Sequence, residues 1–352
     1  MVYLISQDWS NTSGNHAGMV HMGKLLLKNY PNKYKLTVFP EKKKWCFIFK
    51  NQLAQRIALK INFSLLIPIM RFFFAIKFLF KIKNTDSVLL LEYLVTGYSQ
   101  KGIAVLLKLF RPKVRVLGLC HLTPSVLEDY FSKKTIKSWL SKIDNVLTLG
   151  SSLTQYFTQL GIPSKKITTF YHYVDRNYYK RLTPVVNNTD RLKIIISGSQ
   201  MRYNELVCAV VSDIEDVDFI ICKGKDNVTT YPSKENIKLV GFVPEDELRQ
   251  LMNDSDISLN IMVDTVGSNV ITTSEAMGLA MIVSDVGSIR DYCDNSNTVF
   301  CKNTEKDFIN AIKFLRDNRE VLFNYKLNSL QIAEKYDISD FHIKLHSIIS
   351  KN

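Results

Sequence analysis

Residues 266–290 read Val-Gly-Ser-Asn-Val-Ile-Thr-Thr-Ser-Glu-Ala-Met-Gly-Leu-Ala-Met-Ile-Val-Ser-Asp-Val-Gly-Ser-Ile-Arg. The pattern predicts a glycine-containing loop, a helix opening at Glu275, a buried strand at Ala280–Val283 and a tight turn at Asp285–Gly287. Such a unit directs several backbone N–H groups and a positive helix end into one crevice, which suits a diphosphate. Gly267, Ser268, Asn269 and Thr273 would supply amides and hydroxyls to phosphate or sugar. Glu275, placed at the helix start, would accept hydrogen bonds from a ribose, although an acid in a first helical turn is also favoured by the helix dipole alone. In an α/β chain this is chemistry for binding a nucleotide sugar.

Other residues could complete that chemistry. Arg202 follows a strand in Ser197-Gly-Ser-Gln-Met-Arg202, where a guanidinium would clamp a diphosphate and stabilise a departing nucleotide. Lys223 and Lys225 flank Gly224 after another strand and are candidates for the same task. His121 follows the apolar run Leu117-Gly-Leu-Cys120, and the carboxyl ends of parallel strands are where open α/β sheets place ligands. Its imidazole could orient an acceptor hydroxyl or the donor sugar. Asn15, His16 and Gly18 lie in the loop after the first strand and could reach the same crevice. The chain has no Gly-x-Ser-x-Gly elbow, no Gly-x-x-x-x-Gly-Lys-Ser/Thr loop and no His-Glu-x-x-His, and its first loop is not a Gly-x-Gly-x-x-Gly fingerprint.

The elements that must position these residues alternate in type. Strands are expected at Val2–Ser6, Tyr34–Phe39, Ser87–Tyr93, Val114–Cys120, Asn145–Leu149 and Ile167–Tyr171, with helices at Met19–Leu27 and Ser152–Leu160. The composition turns polar around 178–190. A second series follows at Leu192–Ser197, Asp218–Cys222, Ile237–Leu239, Ile257–Ile261, Ala280–Val283 and Thr298–Phe300. Helices fit between them at Glu205–Val211, Pro244–Asn253 and Glu305–Asp317. The reading gives an N-terminal domain over 1–180, a C-terminal domain over 181–330 and a terminal helix over 331–352 that packs back across the domains. At 352 residues the chain has room for two such domains.

Composition bounds the function. The chain is 46% hydrophobic, as folded proteins are. Its six cysteines show no paired short spacing, which argues against a zinc site or disulfide framework and fits a reducing cytoplasm. The net charge is +13, and from Lys42 to Lys83 there are ten basic residues and no acidic one. Within this region Ile61–Phe80 approaches the length of a bilayer span, but Arg71 and Lys77 would each cost about 2.5–3.5 kcal/mol at its centre and Pro68 interrupts it. A helix lying on an anionic membrane surface fits better than a span, with a buried core helix as the alternative. No recognition motif accompanies the basic patch, which disfavours nucleic acid.

Three stretches together resemble the GT-B glycosyltransferases, in particular the retaining glycosyltransferase family 4. Ile167–Asp175 followed by Tyr178 is similar to the segment that ends the family's first domain. Ile237–Leu248, with Val243 placed on the donor side, is similar to its Gly-x-Val-x-x-x-x-Leu stretch. Glu275–Asp291 is similar to its Glu-Ala-x-Ala-x-Gly-x-Pro-Val-Ile core. The resemblance implies two Rossmann-like domains with parallel sheets facing across a cleft, the nucleotide sugar (UDP- or GDP-linked) held by the second and the acceptor by the first. It implies no cofactor and no metal. It assigns Glu275 to the ribose; the family's preceding glutamate falls at Gly267, with Asp264 as a substitute. The expected activity is transfer of a sugar, with retention, to a lipid-linked glycan of a bacterial surface polysaccharide such as capsule or O-antigen. The expected location is the cytoplasmic face of the membrane. A non-catalytic GT-B partner subunit and a nucleotide-sugar epimerase are the alternatives.

Overall fold

The computed structural model describes residues 1–8, 15–39, 50–61, 67–95, 100–185, 191–224 and 229–350. Contacts divide the chain into two compact units. Unit 1 holds Met1–Leu149, Thr154–Phe170 and Lys344–Asn352; unit 2 holds Gly150–Leu153 and Tyr171–Ile343.

The first series of elements runs β1 (Val2–Gln7), α1 (Met19–Asn29), β2 (Tyr34–Phe39), α2 (Gln52–Ile61), α3 (Ile67–Lys81) and β3 (Ser87–Leu90). It continues with α4 (Lys101–Phe110), β4 (Arg115–Cys120), α5 (Pro124–Tyr130), α6 (Lys133–Leu140), β5 (Asn145–Thr148), α7 (Ser151–Gln159) and β6 (Ile167–Thr169). Its strands form a six-stranded sheet in the order β2-β1-β3-β4-β5-β6, and every pairing is parallel. Parallel sheets are covered on both faces, so their strands read as unbroken apolar runs. All residues of β1 and β3 are accordingly buried.

The second series runs β7 (Lys193–Ile196), α8 (Asn204–Ser212), β8 (Asp218–Cys222), β9 (Ile237–Val240), α9 (Glu245–Asn253), β10 (Ile257–Asn260) and α10 (Asn269–Ala276). After it come β11 (Ala280–Ser284), α11 (Ile289–Tyr292), β12 (Thr298–Cys301), α12 (Glu305–Asp317), α13 (Arg319–Ile332) and α14 (Ile338–Ser350). These strands form a parallel sheet in the order β12-β11-β10-β7-β8-β9. Its core joins Ile194, Ile196, Phe219, Ile257 and Leu259 to Val207, Phe308 and Ile312 of α8 and α12.

Each strand expected from the sequence is present, with ends shifted by three residues at most. Segment 171–180, counted with the N-terminal half on sequence, makes its contacts in unit 2: Val174 N–H donates to Tyr336 O, and the Tyr178 and Tyr179 hydroxyls donate to Asp246 and Glu245. Residues 62–66 of the run 61–80 lie outside the described residues. α2 ends at Ile61, and α3 begins at Ile67 with Pro68 in its first turn, where a missing N–H costs least. Among the described residues no helix is long and apolar enough to cross a membrane.

Candidate functional site

The sheet order of unit 2 fixes where a ligand belongs. The chain reverses its direction of strand addition between β7 and β10, and open α/β sheets bind ligands at the carboxyl ends of the strands flanking that point. Three loops leave those carboxyl ends side by side: 197–203 after β7, 223–224 after β8 and 261–268 after β10.

The 197–203 loop packs closely against α10. Gly198 has φ +83, and a Cβ there would lie 2.8 Å from Val270 Cγ2. A Cβ on Gly224 would lie 3.1 Å from Ser199 Cβ, so this glycine permits the neighbouring loop to approach. Met201 has φ +55, a left-handed conformation that costs an ordinary residue about 1–2 kcal/mol. Its carbonyl accepts from Val263 N–H, and Tyr203 N–H donates to Ile261 O. Arg202 fastens the loop from within: one terminal nitrogen donates to Leu259 O at 3.2 Å and the other to Ser197 O. Burial lowers its pKa to about 10, which still leaves it charged at neutral pH. The guanidinium predicted to clamp a ligand thus holds together the ends of β7 and β10.

α10 begins at Asn269, and Ser268 is its N-cap, accepting from Val270 N–H at 3.2 Å. At such an end the first amides have no acceptor inside the helix, and partial positive charge collects there. Gly267, Ser268 and Asn269 therefore stand at the helix start itself, beside the Gly198 loop, and not in a loop ahead of a helix opening at Glu275. Gly287, with φ +54, abuts Thr265 O and Asp264 Oδ1, while Asp264 Oδ1 accepts from Thr265 N–H at 2.7 Å. Thr273 is not open to a ligand in this structure: it is buried, and its hydroxyl donates to Asn269 O at 2.6 Å.

The expectation for Glu275 is overturned. The helix opens six residues before it, and Glu275 lies in the last turn, about 9 Å further along the axis. α10 runs back from the carboxyl edge of the sheet to its amino edge, because Ala280 of β11 pairs with Ile257, the first residue of β10. The Glu275 side chain is 0% exposed, and its Oε1 accepts from Asn297 Nδ2 at 3.0 Å, just before β12. The Cys293 thiol also hydrogen-bonds to it. Burial pushes its pKa up to about 8, so it is mostly neutral at pH 7. It is a buried acid at the edge of the sheet opposite the ligand edge, unsuited to hold a ribose. Gly278 explains the misreading. It follows α10 with φ +63 and its N–H donates to Glu275 O, an ending that glycine favours. The family segment places its glutamate five residues before that glycine; here Glu275 precedes it by three, and the fifth position back is Thr273.

The remaining candidates are placed as follows. Lys223 directly follows β8, its N–H donating to Val240 O and its ammonium lying 5.9 Å from the Tyr231 ring centre. Val243 is half-buried between β9 and α9. Lys225 lies outside the described residues. In unit 1, His121 directly follows β4. Gly18 caps α1, its N–H donating to Asn15 O, and the His16 ring stands 4.3 Å from that of His21.

Sequence reasoning missed two features. One is Gly198, visible only as a glycine directly after an apolar run. The other is Glu92, just beyond β3 at the corresponding reversal point of unit 1, between β1 and β3. Its carboxyl accepts from Ser6 Oγ at 2.9 Å, Gln7 N–H and Gln100 Nε2, and burial pushes it up to about 8. The signal was a lone acid inside Leu89-Leu-Leu-Glu-Tyr-Leu94.

Comparison with known proteins agrees with this arrangement. The chain superposes over its whole length on Anabaena HepE in complex with UDP, with a TM-score of 0.71, 14% identity and 100% of each chain covered. Sucrose-phosphate synthase from Thermosynechococcus elongatus gives 0.71 at 11% identity, covering 99% of this chain and 97% of that one. A glycosyltransferase from Rickettsia africae gives 0.67 at 14%, covering 100% and 99%. The fold is GT-B. Residues 188–318 match the family described as glycosyl transferases group 1. That match covers β7 through α12, so it includes the three loops of the GT-B unit 2 site. No curated protein matches the chain.

Proposed function

We propose that this GT-B protein is a glycosyltransferase that moves a sugar from a nucleotide-sugar donor to a glycan acceptor. The observation that carries the reading is the junction of the α10 N-terminus with the Gly198 loop at the reversal point of the unit 2 sheet, inside the glycosyl transferases group 1 match. The amides of Ser268 and Asn269 and the loop held by Arg202 would receive the diphosphate. Preorganised donors of this kind stabilise the charge that develops on a leaving group. HepE, which shares the fold, was solved with UDP and with UDP-glucose, which supports a uridine nucleotide as the first donor to try.

His121 and the Asn15–Gly18 loop, at the carboxyl ends of β4 and β1, are the acceptor-side groups in this proposal. The transfer would retain configuration and need no metal, since helix end and basic side chains would neutralise the diphosphate. The acceptor is a lipid-linked glycan in surface polysaccharide assembly, used at the cytoplasmic face of a membrane. A second reading, a GT-B subunit that binds but does not transfer, draws on two positions: Thr273, which stands five residues before Gly278 where the family segment has its glutamate, and Glu275, which is buried.

Calorimetric titration with UDP, GDP and ADP, followed by hydrolysis assays on the matching nucleotide sugars, tests both. Selective binding of one diphosphate with slow donor hydrolysis is expected. Binding without any hydrolysis or transfer would favour the subunit. No binding to any nucleotide would remove both.

A further inference from the structure

α3 has two apolar faces, and among the described residues only one is used by the fold. Ala75, Phe78 and Ile82 point inward, with the Phe78 ring 5.2 Å from Tyr3 of β1 and Phe74 4.7 Å from Phe39 of β2. Ile69, Phe72, Phe73 and Phe80 form a stripe on the other side, and Phe80 is 81% exposed. The last turn of α4 extends it: Arg111 Nε donates to Leu79 O at 3.2 Å, and Leu109 and Phe110 beside it are exposed. α2 has the same character, with no buried residue and with Leu53, Ile57 and Ile61 exposed at intervals of four. Exposed cations accompany these rings and chains: Arg56, Lys60, Lys77, Lys81 and Lys83. No acid lies between Lys42 and Lys83 to balance them.

We propose that the exposed stripe of α3, the end of α4 and the α2 helix together dock unit 1 on an anionic phospholipid bilayer. The rings would enter the boundary between headgroups and acyl chains, and the lysines would meet the phosphates. Lysine is depleted where proteins meet proteins, whereas aromatic rings flanked by lysine suit a charged lipid surface. At 15 residues α3 is about 22 Å long, short of a hydrocarbon core of about 30 Å, so it lies on the bilayer. This deepens the proposed function by locating a lipid-linked acceptor, and it rests on that reading for its purpose alone.

The test is flotation of the full chain with vesicles of phosphatidylcholine alone or mixed with phosphatidylglycerol, with UDP binding measured on the same preparations. Flotation with the anionic vesicles, weakened by salt, is expected. Lys77→Gln with Lys81→Gln should reduce it about 30-fold, at roughly fivefold per charge. Phe72→Ser with Phe73→Ser should reduce it by at least about tenfold per ring. Circular dichroism and unchanged UDP binding would show that these variants fold. Absence of flotation, or equal flotation with neutral vesicles that the lysine changes leave unaltered, would overturn the proposal. So would a dimer that the phenylalanine changes dissociate, since a second copy would then cover the face. Flotation without UDP binding would keep the surface and sink the donor reading.

Discussion

Glu275→Gln should change how stability depends on pH. The folded carboxyl has a pKa of about 8 against an ordinary value of 4.5, because burial outweighs the hydrogen bonds from Asn297 and Cys293. Between those values the folded chain holds a proton that the unfolded chain releases. Stability from this group is therefore fully present below pH 4.5 and falls as pH rises towards 8. Each unit is worth 1.36 kcal/mol, so the whole window amounts to about 5 kcal/mol as an upper limit. Glutamine keeps the shape and neutrality of the protonated acid. The variant should match the parent near pH 5 and exceed it near pH 8, with the gap widening by about 1 kcal/mol per unit between. Urea denaturation followed by tryptophan fluorescence and circular dichroism at pH 5, 6.5 and 8 would measure this. Parallel pH profiles for parent and variant would refute the reasoning, since they would mean that Glu275 is ionised in the fold and not buried as described. UDP affinity should be unchanged by the same substitution, because the residue lies away from the ligand edge.

Other outcomes follow from the interior of unit 2. Lys326 donates to Asp256 Oδ1 at 2.7 Å, and both side chains are buried. Lys326→Met should cost about 3–5 kcal/mol in denaturation experiments by leaving Asp256 uncompensated, and adding Asp256→Asn should recover much of it. Met201→Val should lower stability, because a β-branched side chain fits φ +55 less well than methionine does, whereas Met201→Gly should be neutral or raise stability by up to about 1 kcal/mol, because only glycine adopts φ +55 without strain.

The sequence was most informative where burial leaves a simple trace. Asp218–Cys222 was found to the residue, because a strand covered on both faces is an apolar run bounded by polar residues; the partly buried edge strand Tyr34–Phe39 was found through its aromatic and β-branched residues. α10 was misplaced because Val270-Ile-Thr-Thr273 is β-branched and has no clear helical period, so local preference pointed away from a helix. Its packing in unit 2 decides otherwise, and the signal that could have located it was Ser268 as an N-cap. The candidate site was legible in part: Gly267–Asn269 were picked out by residue type, though as a loop and not as the start of α10. It was not legible in its side chains. Whether Arg202 or Glu275 faces a ligand or the interior depends on which carbonyls and amides lie nearby, and those come from distant segments: Leu259 for the one and Asn297 for the other.

The central claim is that the start of α10 and the Gly198 loop receive a nucleotide's diphosphate. A crystal structure of the protein grown with UDP tests it most directly. The account predicts phosphate oxygens within about 3 Å of the Ser268 and Asn269 amides, beside Gly198. A diphosphate bound elsewhere, with those amides bonded only to water, would contradict it.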